Sequence, residues 1–379
     1  MTAALASQRR LFGALLVAGA VWAALAWSCP ASGQFRLFGC MRHDWLCDYR
    51  YPRECAAADA TYRPETIERK DACYPPLAYR LAGLFPRDVR TGGILFASLA
   101  FVAFALALGL LAPGARADKA LAVAALALSG PMMLAVSTAN QILLAAAGVF
   151  VFFAFRHSPR RTVRALALAA LALAAALKVI PALFALVLVR ESRWREFLFV
   201  AALAAVFAFV PFVGYGGFEG LGDYLENLKL HADYFNPRDA WGFVALDRSV
   251  RLGLGLPIES VRATYLWGRL ATVAVSLGCL VAFFRGGRLL PLAAVTLMLP
   301  GGAMYYTALL LIPALFEPPV AKGARGRFME AALWFLVFCP LQLPVGSGSA
   351  NHALGAASLL ALAALEFIPH RDAEGGRGR

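Results

Sequence analysis

Charged residues are scarce in this chain of 379 residues. Only 16% of them are Asp, Glu, Lys or Arg, whereas 60% are hydrophobic, and the mean hydropathy is +0.66. A soluble fold of this length cannot bury so much apolar surface. Apolar runs of roughly 15 to 22 residues recur along the whole chain, and that length suits helices that cross a hydrocarbon core. The composition therefore predicts an all-α, polytopic inner-membrane protein.

Several motifs of soluble chemistry are also missing. The sequence contains no Asp-x-Asp, no glycine-rich phosphate loop and no Cys-x-x-Cys pair, and it has only five histidines. These absences argue against a nucleotide-sugar site and a zinc site, so we expect no metal and no cofactor. The net charge of +13 is spread in short groups between apolar runs. That pattern does not form the basic face that nucleic-acid binding requires.

Hydropathy predicts about 10 to 12 transmembrane helices in a single integral domain that spans residues 1–379. The basic pair Arg9 and Arg10 precedes the first apolar run, whose length favours a retained helix over a cleaved signal peptide. The predicted helices lie near residues 11–29, 93–112, 120–137, 141–155, 164–177, 180–190, 196–213, 264–284, 289–299, 304–316, 329–345 and 352–369.

Basic residues alternate between short turns and predict the orientation. Lys and Arg gather near residues 116–119, 156–164, 190–195, 285–288 and 322–327, whereas the turns at 137–141, 300–304 and 344–351 contain none. The positive-inside rule then puts both termini in the cytoplasm. Two long polar segments, 30–92 and 214–263, are consequently predicted to be extracytoplasmic loops.

Cysteines concentrate in or beside the first long segment, on the side of the membrane where oxidation is possible. We expect one or two disulfides there, with the pairing left open, among Cys29, Cys40, Cys47, Cys55 and Cys73. Cys279 and Cys339 fall within apolar helices and are interpreted as packing residues.

The first long segment also contains Asp44 and Asp48, beside Trp45 and Tyr49. A carboxylate at the boundary between water and lipid can act as a general base that deprotonates a sugar hydroxyl. The alternative is that these acids balance neighbouring arginines in a solvated loop. Further along, two prolines restrain the turn Tyr74–Leu77 before the chain re-enters the membrane.

Polar residues inside apolar stretches are the other candidates. Asn140 and Gln141 occupy a tight turn, where their amides could bind sugar or phosphate or could cap the adjacent helices. Lys178 interrupts the apolar run 165–189. Its ammonium could pair with a phosphate or snorkel to the headgroups. In the second long segment, Arg238 and Arg248 lie among aromatic residues, a mixture that suits sugar rings and phosphate oxygens.

These residues, in their order and placement, resemble glycosyltransferase family 87 of the GT-C class. The resemblance is close over residues 40–200 and rests on hydropathy elsewhere. Four features carry it, in chain order. They are the acids and tyrosine Asp44, Asp48 and Tyr49, the Tyr-Pro-Pro-Leu turn Tyr74–Leu77, the turn that contains Gln141, and the Leu-Lys-x-x-Pro segment Leu177–Pro181.

The resemblance implies transfer of a sugar, often mannose, from a polyprenyl-phosphate carrier to a glycolipid or glycan acceptor at the outer face of the membrane, with inversion. It implies Asp44 as general base with Asp48 as substitute. It also implies phosphate contacts from Lys178 with Arg238 or Arg248. A monophosphate leaving group needs no metal, because cationic side chains can stabilise it.

One position departs from the family pattern. Where the family commonly has one or two histidines before a late helix, this chain has Tyr305 and Tyr306. A tyrosine hydroxyl donates a hydrogen bond but does not titrate near neutral pH. His352, in the last outer turn, is a possible substitute.

Two other functions remain open, a membrane transporter and a non-catalytic envelope-assembly protein. A transporter usually has acids or broken helices at the bilayer midplane, whereas these helices lack acids in their interiors.

Overall fold

Regular structure in the described part of the chain is entirely helical. A computed structural model describes residues 9–28, 46, 49–50, 52–53, 74–112, 114–234, 251, 254, 266–286, 288–298, 309, 316–317, 323–338, 357–358, 361–362 and 364. No strand occurs within these residues. The predicted all-α class is therefore confirmed for this part of the chain.

The helices are labelled in chain order. Those before residue 180 are α1 (Arg9–Ser28), α2 (Pro76–Gly83), α3 (Val89–Leu111), α4 (Arg116–Ala127), α5 (Gly130–Ser137), α6 (Ile142–Phe155) and α7 (Arg161–Leu177). After them come a 3-10 helix (Ile180–Ala185), α8 (Leu186–Arg190), α9 (Trp194–Phe209), a second 3-10 helix (Val210–Gly214), α10 (Gly217–Tyr234), α11 (Leu266–Gly286), α12 (Leu289–Met298) and α13 (Gly323–Phe338).

Within the described residues, two helices are long and apolar enough to cross a membrane. They are α3 and the continuous run Trp194–Gly214. Shorter apolar helices accompany them at Leu11–Val21, Ile142–Phe155, Ile180–Arg190 and Leu270–Gly286. Hydropathy predicted each of these helices, because apolar side chains must cover a backbone that crosses lipid.

The predicted helix at 120–137 is instead two helices, α4 and α5. The hydroxyl of Ser129 donates to the carbonyl of Leu126 at 2.7 Å and closes the end of α4. Gly130 and Pro131 come next, and proline has no N–H to continue a helix. Pro131 is tolerated because it lies at the start of α5, where amide donors have no intrahelical acceptor.

Close packing of α3, α6 and α7 forms the centre of the bundle. The ring of Phe104 in α3 meets that of Phe150 in α6 edge to face at 5.7 Å. Gly148 lets α6 approach α7, because a Cβ at this position would lie 2.7 Å from the carbonyl oxygen of Ala170. Small residues at helix crossings are typical of membrane bundles.

Ion pairs gather at one end of the bundle, here called the basic face and defined by the turns 156–161 and 190–194 with Arg288 and Glu317. Glu191 lies 2.9 Å from Arg193 and 3.3 Å from Arg156. Burial opposes ionisation of Glu191, but the hydrogen bond from Arg193 and the charge of Arg156 outweigh it and lower its pKa. These contacts join the turn before α7 to the turn before α9.

The same face includes a second acid. Glu317 accepts from the backbone N–H of Leu289, the first residue of α12, at 2.6 Å. Burial raises the pKa of Glu317, while Arg288 at 3.8 Å acts in the opposite direction. This carboxylate therefore serves α12 as an N-terminal cap.

Candidate active site

The opposite end of the bundle, here called the aromatic face, is defined by Tyr74, Lys178, Tyr215, Tyr224 and the turn 137–141. Five residues predicted to bind substrate lie in the described part of the chain: Tyr49, Tyr74, Asn140, Gln141 and Lys178. Other predicted residues lie outside it, namely Asp44, Asp48, Arg238, Arg248, Tyr305, Tyr306 and His352, together with Cys29, Cys40, Cys47, Cys55 and Cys73.

Lys178 terminates α7 and turns its side chain into the protein. Its backbone N–H donates to Ala174 at 3.0 Å, while φ −146° and ψ 121° put the residue in extended conformation. The side chain is buried, with 7% of the residue exposed. The ammonium lies 4.6 Å from the centroid of the Tyr74 ring, in a cation–π contact. Lys178 is therefore packed under an aromatic ring and does not extend to the headgroups.

Tyrosines from both long polar segments meet beside Lys178. Tyr74 contacts Tyr79 of α2 edge to face at 6.5 Å, and Tyr79 lies 6.0 Å from Tyr215. Phe212 and Tyr224 pack against the same cluster. Its members lie in or directly beside α2, the 3-10 helix at 210–214 and α10. The structure thus brings the end of the first segment and the start of the second together over one cation.

Sequence reasoning missed a second cation at this cluster. The guanidinium of Arg80, one residue after Tyr79, lies 5.0 Å from the centroid of the Tyr215 ring. Pro75 and Pro76 are a usable signal for the start of the helix that contains Arg80, but the spacing from Tyr79 is not, because consecutive helical residues do not share a face. Arg80 is exposed, whereas Lys178 is buried.

The two amides of the turn 137–141 have different environments. Asn140 accepts the backbone N–H of Ile142 at 2.8 Å, and its own N–H donates to Ala135 at 2.7 Å. Asn140 therefore caps the start of α6, one of the two functions that its sequence position allowed. Gln141 is only 1% exposed, and its Oε1 has no hydrogen-bond partner within the described residues. A buried amide oxygen without a donor is unusual and is a candidate acceptor for a substrate hydroxyl.

The first long segment is attached to this turn. The backbone N–H of Leu46 donates to Ser137 at 2.8 Å. Tyr49 donates its hydroxyl proton to the carbonyl of Pro86 at 2.8 Å and packs against Phe96. Gly92 makes room for it, since a Cβ there would lie 2.2 Å from the Tyr49 hydroxyl. The proton of Tyr49 is thus engaged in holding the segment on α3.

An apolar groove of about 650 Å³ runs from the aromatic face along the bundle. Leu77, Leu81 and Leu177 line it near the aromatic face, and Leu110 and Phe155 line it near the basic face. Its walls come from α2, α3, α6 and α7, and the residues that line it are all apolar. Lys178 follows directly on Leu177, so the backbone of a buried lysine lies beside the end of an apolar groove. Hydropathy does not indicate this groove, because its lining residues resemble those that face lipid or pack in the core.

A comparison with known families identifies the chain. The model of glycosyltransferase family 87 matches residues 73–313, more than half of the 379 residues. The chain belongs to glycosyltransferase family 87. No curated protein and no solved structure matches it significantly.

Membership of family 87 confirms the resemblance drawn from the sequence. The matched range contains the Tyr74–Leu77 turn, Gln141 and Lys178, and it begins after Asp44 and Asp48. Family 87 enzymes are polytopic membrane glycosyltransferases of the GT-C class, so this chain is an integral membrane enzyme that acts on a sugar donor and an acceptor. The chain is thus an enzyme of the glycosyltransferase class.

Proposed function

We propose that the protein moves a sugar, with mannose the expected one, from a polyprenyl-phosphate carrier to a glycolipid or glycan acceptor. The observation that carries this proposal is the buried Lys178 beside the end of the apolar groove. A polyprenyl phosphate has a long apolar chain that ends in an anionic phosphate. The groove fits the chain, and the ammonium fits the phosphate.

The leaving phosphate is where a cation contributes most. As the bond between the sugar and the phosphate breaks, negative charge develops on the phosphate oxygens, and a positioned ammonium stabilises that charge. The Tyr74 ring limits hydration of Lys178, which strengthens its interaction with an anion. Arg238 or Arg248 would add a second cation, and Tyr305, Tyr306 and His352 are proposed donors to the substrates.

The acceptor hydroxyl needs a base, and we assign that role to Asp44 with Asp48 as substitute. Each is two residues from Leu46 in the sequence. Leu46 is bound to Ser137, beside the turn that contains Gln141. The carboxylate accepts the hydroxyl proton as the acceptor oxygen attacks the sugar, and the carrier phosphate departs from the opposite side with inversion.

The orientation proposed here puts the aromatic face outside the cytoplasm and both termini inside. The distribution of arginines supports it, since the turns of the basic face contain Arg156, Arg160, Arg161, Arg190 and Arg193, whereas the turn 137–141 contains no Lys or Arg. A lipid-linked donor is available on that side without a nucleotide.

The donor class can be tested with the purified protein in liposomes. We expect transfer from radiolabelled polyprenyl-phosphate-mannose and none from a nucleotide-linked mannose. Transfer only from the nucleotide donor would contradict the proposal. Added chelator should leave the rate unchanged, because the proposed chemistry needs no metal.

The groove can be tested with a matched pair of variants on α3. Ala103 lines the groove, whereas its neighbour Val102 is 48% exposed and is not among the lining residues. Ala103→Trp should slow transfer from a long-chain donor about tenfold and affect a short-chain donor much less, because only the long chain needs the filled space. Val102→Trp should retain native rates with both donors. Equal rates for Ala103→Trp and native protein with the long donor would exclude this groove as the carrier site.

A further inference from the structure

The turns before α7 and α9 and the first residues of these helices contain both paired and exposed arginines. Glu191 in the turn 190–194 and Glu196 in α9 are occupied by Arg156, Arg164 and Arg193 through the ion pairs formed there. Three further arginines are exposed and have no ion pair within the described part of the chain, namely Arg160, Arg161 and Arg195. These three are called the arginine rim.

Internal contacts hold the rim together. Arg193 donates to the backbone carbonyl of Arg156 at 2.6 Å, and Arg164 of α7 lies 3.4 Å from Glu196 of α9. Arg161 begins the helix that contains Arg164, and Arg195 is the neighbour of Glu196. The starts of α7 and α9 are therefore fastened side by side, with the rim arginines at their exposed ends.

The rim lies at the end of a helix that faces lipid. The run Trp194–Gly214 is apolar enough to span the membrane, and only 11% of its apolar stretch is buried against the rest of the protein. Its first residue, Trp194, is 55% exposed, and Leu198 one turn later is 62% exposed. Tryptophan favours the headgroup level, with apolar residues deeper in the acyl region. Arg195 is accordingly placed at headgroup depth.

We propose that the arginine rim binds an anionic phospholipid of the adjoining leaflet. Guanidinium groups pair with a phosphate through parallel N–H donors, and the exposed ring of Trp194 with Leu198 offers a surface for the acyl chains. The acids nearby are already paired with other arginines, so they do not neutralise the rim. The apolar surface favours a lipid over a free phosphate ion. This site lies at the opposite end of the bundle from Lys178 and does not depend on the proposed transfer reaction.

The test measures lipid selectivity at the protein surface. The full chain is reconstituted in phosphatidylcholine with a trace of spin-labelled phosphatidylglycerol or spin-labelled phosphatidylcholine, and the immobilised fraction of each is measured by electron spin resonance. The native protein should prefer phosphatidylglycerol severalfold. This preference is expected to come from the three arginines together, so Arg160→Gln with Arg161→Gln and Arg195→Gln should abolish it.

Two matched variants separate the rim from general effects. Arg87→Gln with Arg90→Gln and Arg116→Gln removes the same charge from exposed positions elsewhere, and it should retain the preference. Arg160→Lys with Arg161→Lys and Arg195→Lys retains the charge and should retain most of the preference, which also shows that the site tolerates substitution. Equal loss in the control variant would overturn the proposal, as would an unchanged preference in the rim variant. Displacement of the labelled lipid by millimolar inorganic phosphate would assign the rim to free phosphate and overturn the lipid assignment.

Discussion

Charged and polar side chains are held differently at the two ends of the bundle. At the basic face, Glu191 is bound by Arg193 at 2.9 Å and lies 3.3 Å from Arg156. At the aromatic face, Lys178 packs against the Tyr74 ring, and the amide oxygen of Gln141 has no donor within the described residues. Ion pairs that are complete within the chain stabilise it, whereas a buried amide oxygen without a donor among the described residues suits an external partner.

The comparison teaches that charge density alone does not locate a site. Among the described residues, the basic face has far more charged side chains than the aromatic face, and most of them contact one another. The aromatic face is where the described ends of the two long polar segments meet and where the apolar groove ends. Variants at each face should therefore separate activity from stability.

The largest effect expected from a described residue is that of Lys178. Lys178→Gln should lower the transfer rate by about 100-fold, because the developing charge on the leaving phosphate loses its cation. Lys178→Arg should recover part of the rate. Tyr74→Phe retains the ring that covers the ammonium and should therefore keep more of the rate than Lys178→Gln does. The measurement is the initial rate of sugar transfer per folded protein, and native rates for Lys178→Gln would refute the phosphate assignment.

Substitution of Gln141 should lower activity without lowering stability. Gln141→Leu should reduce transfer about fivefold, equivalent to one hydrogen bond of about 1 kcal/mol, and should not lower the melting temperature, because it removes a buried oxygen without a partner. Asn140→Leu is the control, and it should lower stability by about 1 kcal/mol, since Asn140 caps α6. Scanning calorimetry and transfer rates check both. A less stable Gln141→Leu with native activity would show that Gln141 is structural.

Glu191 should affect stability and leave the chemistry alone. Glu191→Gln should cost about 2 kcal/mol at neutral pH through the charged hydrogen bond from Arg193, with little change in transfer per folded protein. Its folded pKa is lowered, so its contribution is complete above the unfolded value of about 4.3 and is lost as the pH falls further. The difference in melting temperature between native and variant should therefore stay nearly constant from pH 7 to about pH 5 and shrink below about pH 4. A difference that persists unchanged down to about pH 3 would contradict the ion-pair account.

Helix positions were the most predictable part of the structure. Lipid requires apolar side chains over a satisfied backbone, so the runs at 93–112, 141–155 and 164–177 identified α3, α6 and α7 from composition alone. The break between α4 and α5 was missed because hydropathy ignores Gly130 and Pro131. Helices α2 and α10 lie within the polar segments, where hydropathy gives no signal.

The candidate site was predictable in its residues and not in its contacts. Lys178 was unusual in sequence, because a charge in an apolar run demands a partner. Its contact with Tyr74 was not predictable, because Tyr74 comes from another part of the chain. That contact depends on how α2 packs over the end of α7. Asn140 and Gln141 have different environments because their side chains point in different directions within one turn. The local sequence does not reveal these directions.

The most direct test of the central claim is transfer from polyprenyl-phosphate-mannose by Asp44→Asn, compared with native protein and Glu191→Gln at equal abundance in liposomes. The account predicts that Asp44→Asn loses about 100-fold to 10,000-fold in rate, since a general base contributes that much, while Glu191→Gln remains active. Asp48→Asn in parallel shows whether the neighbouring carboxylate is the base. Native rates for both Asp44→Asn and Asp48→Asn would contradict the assignment of catalysis to the aromatic face.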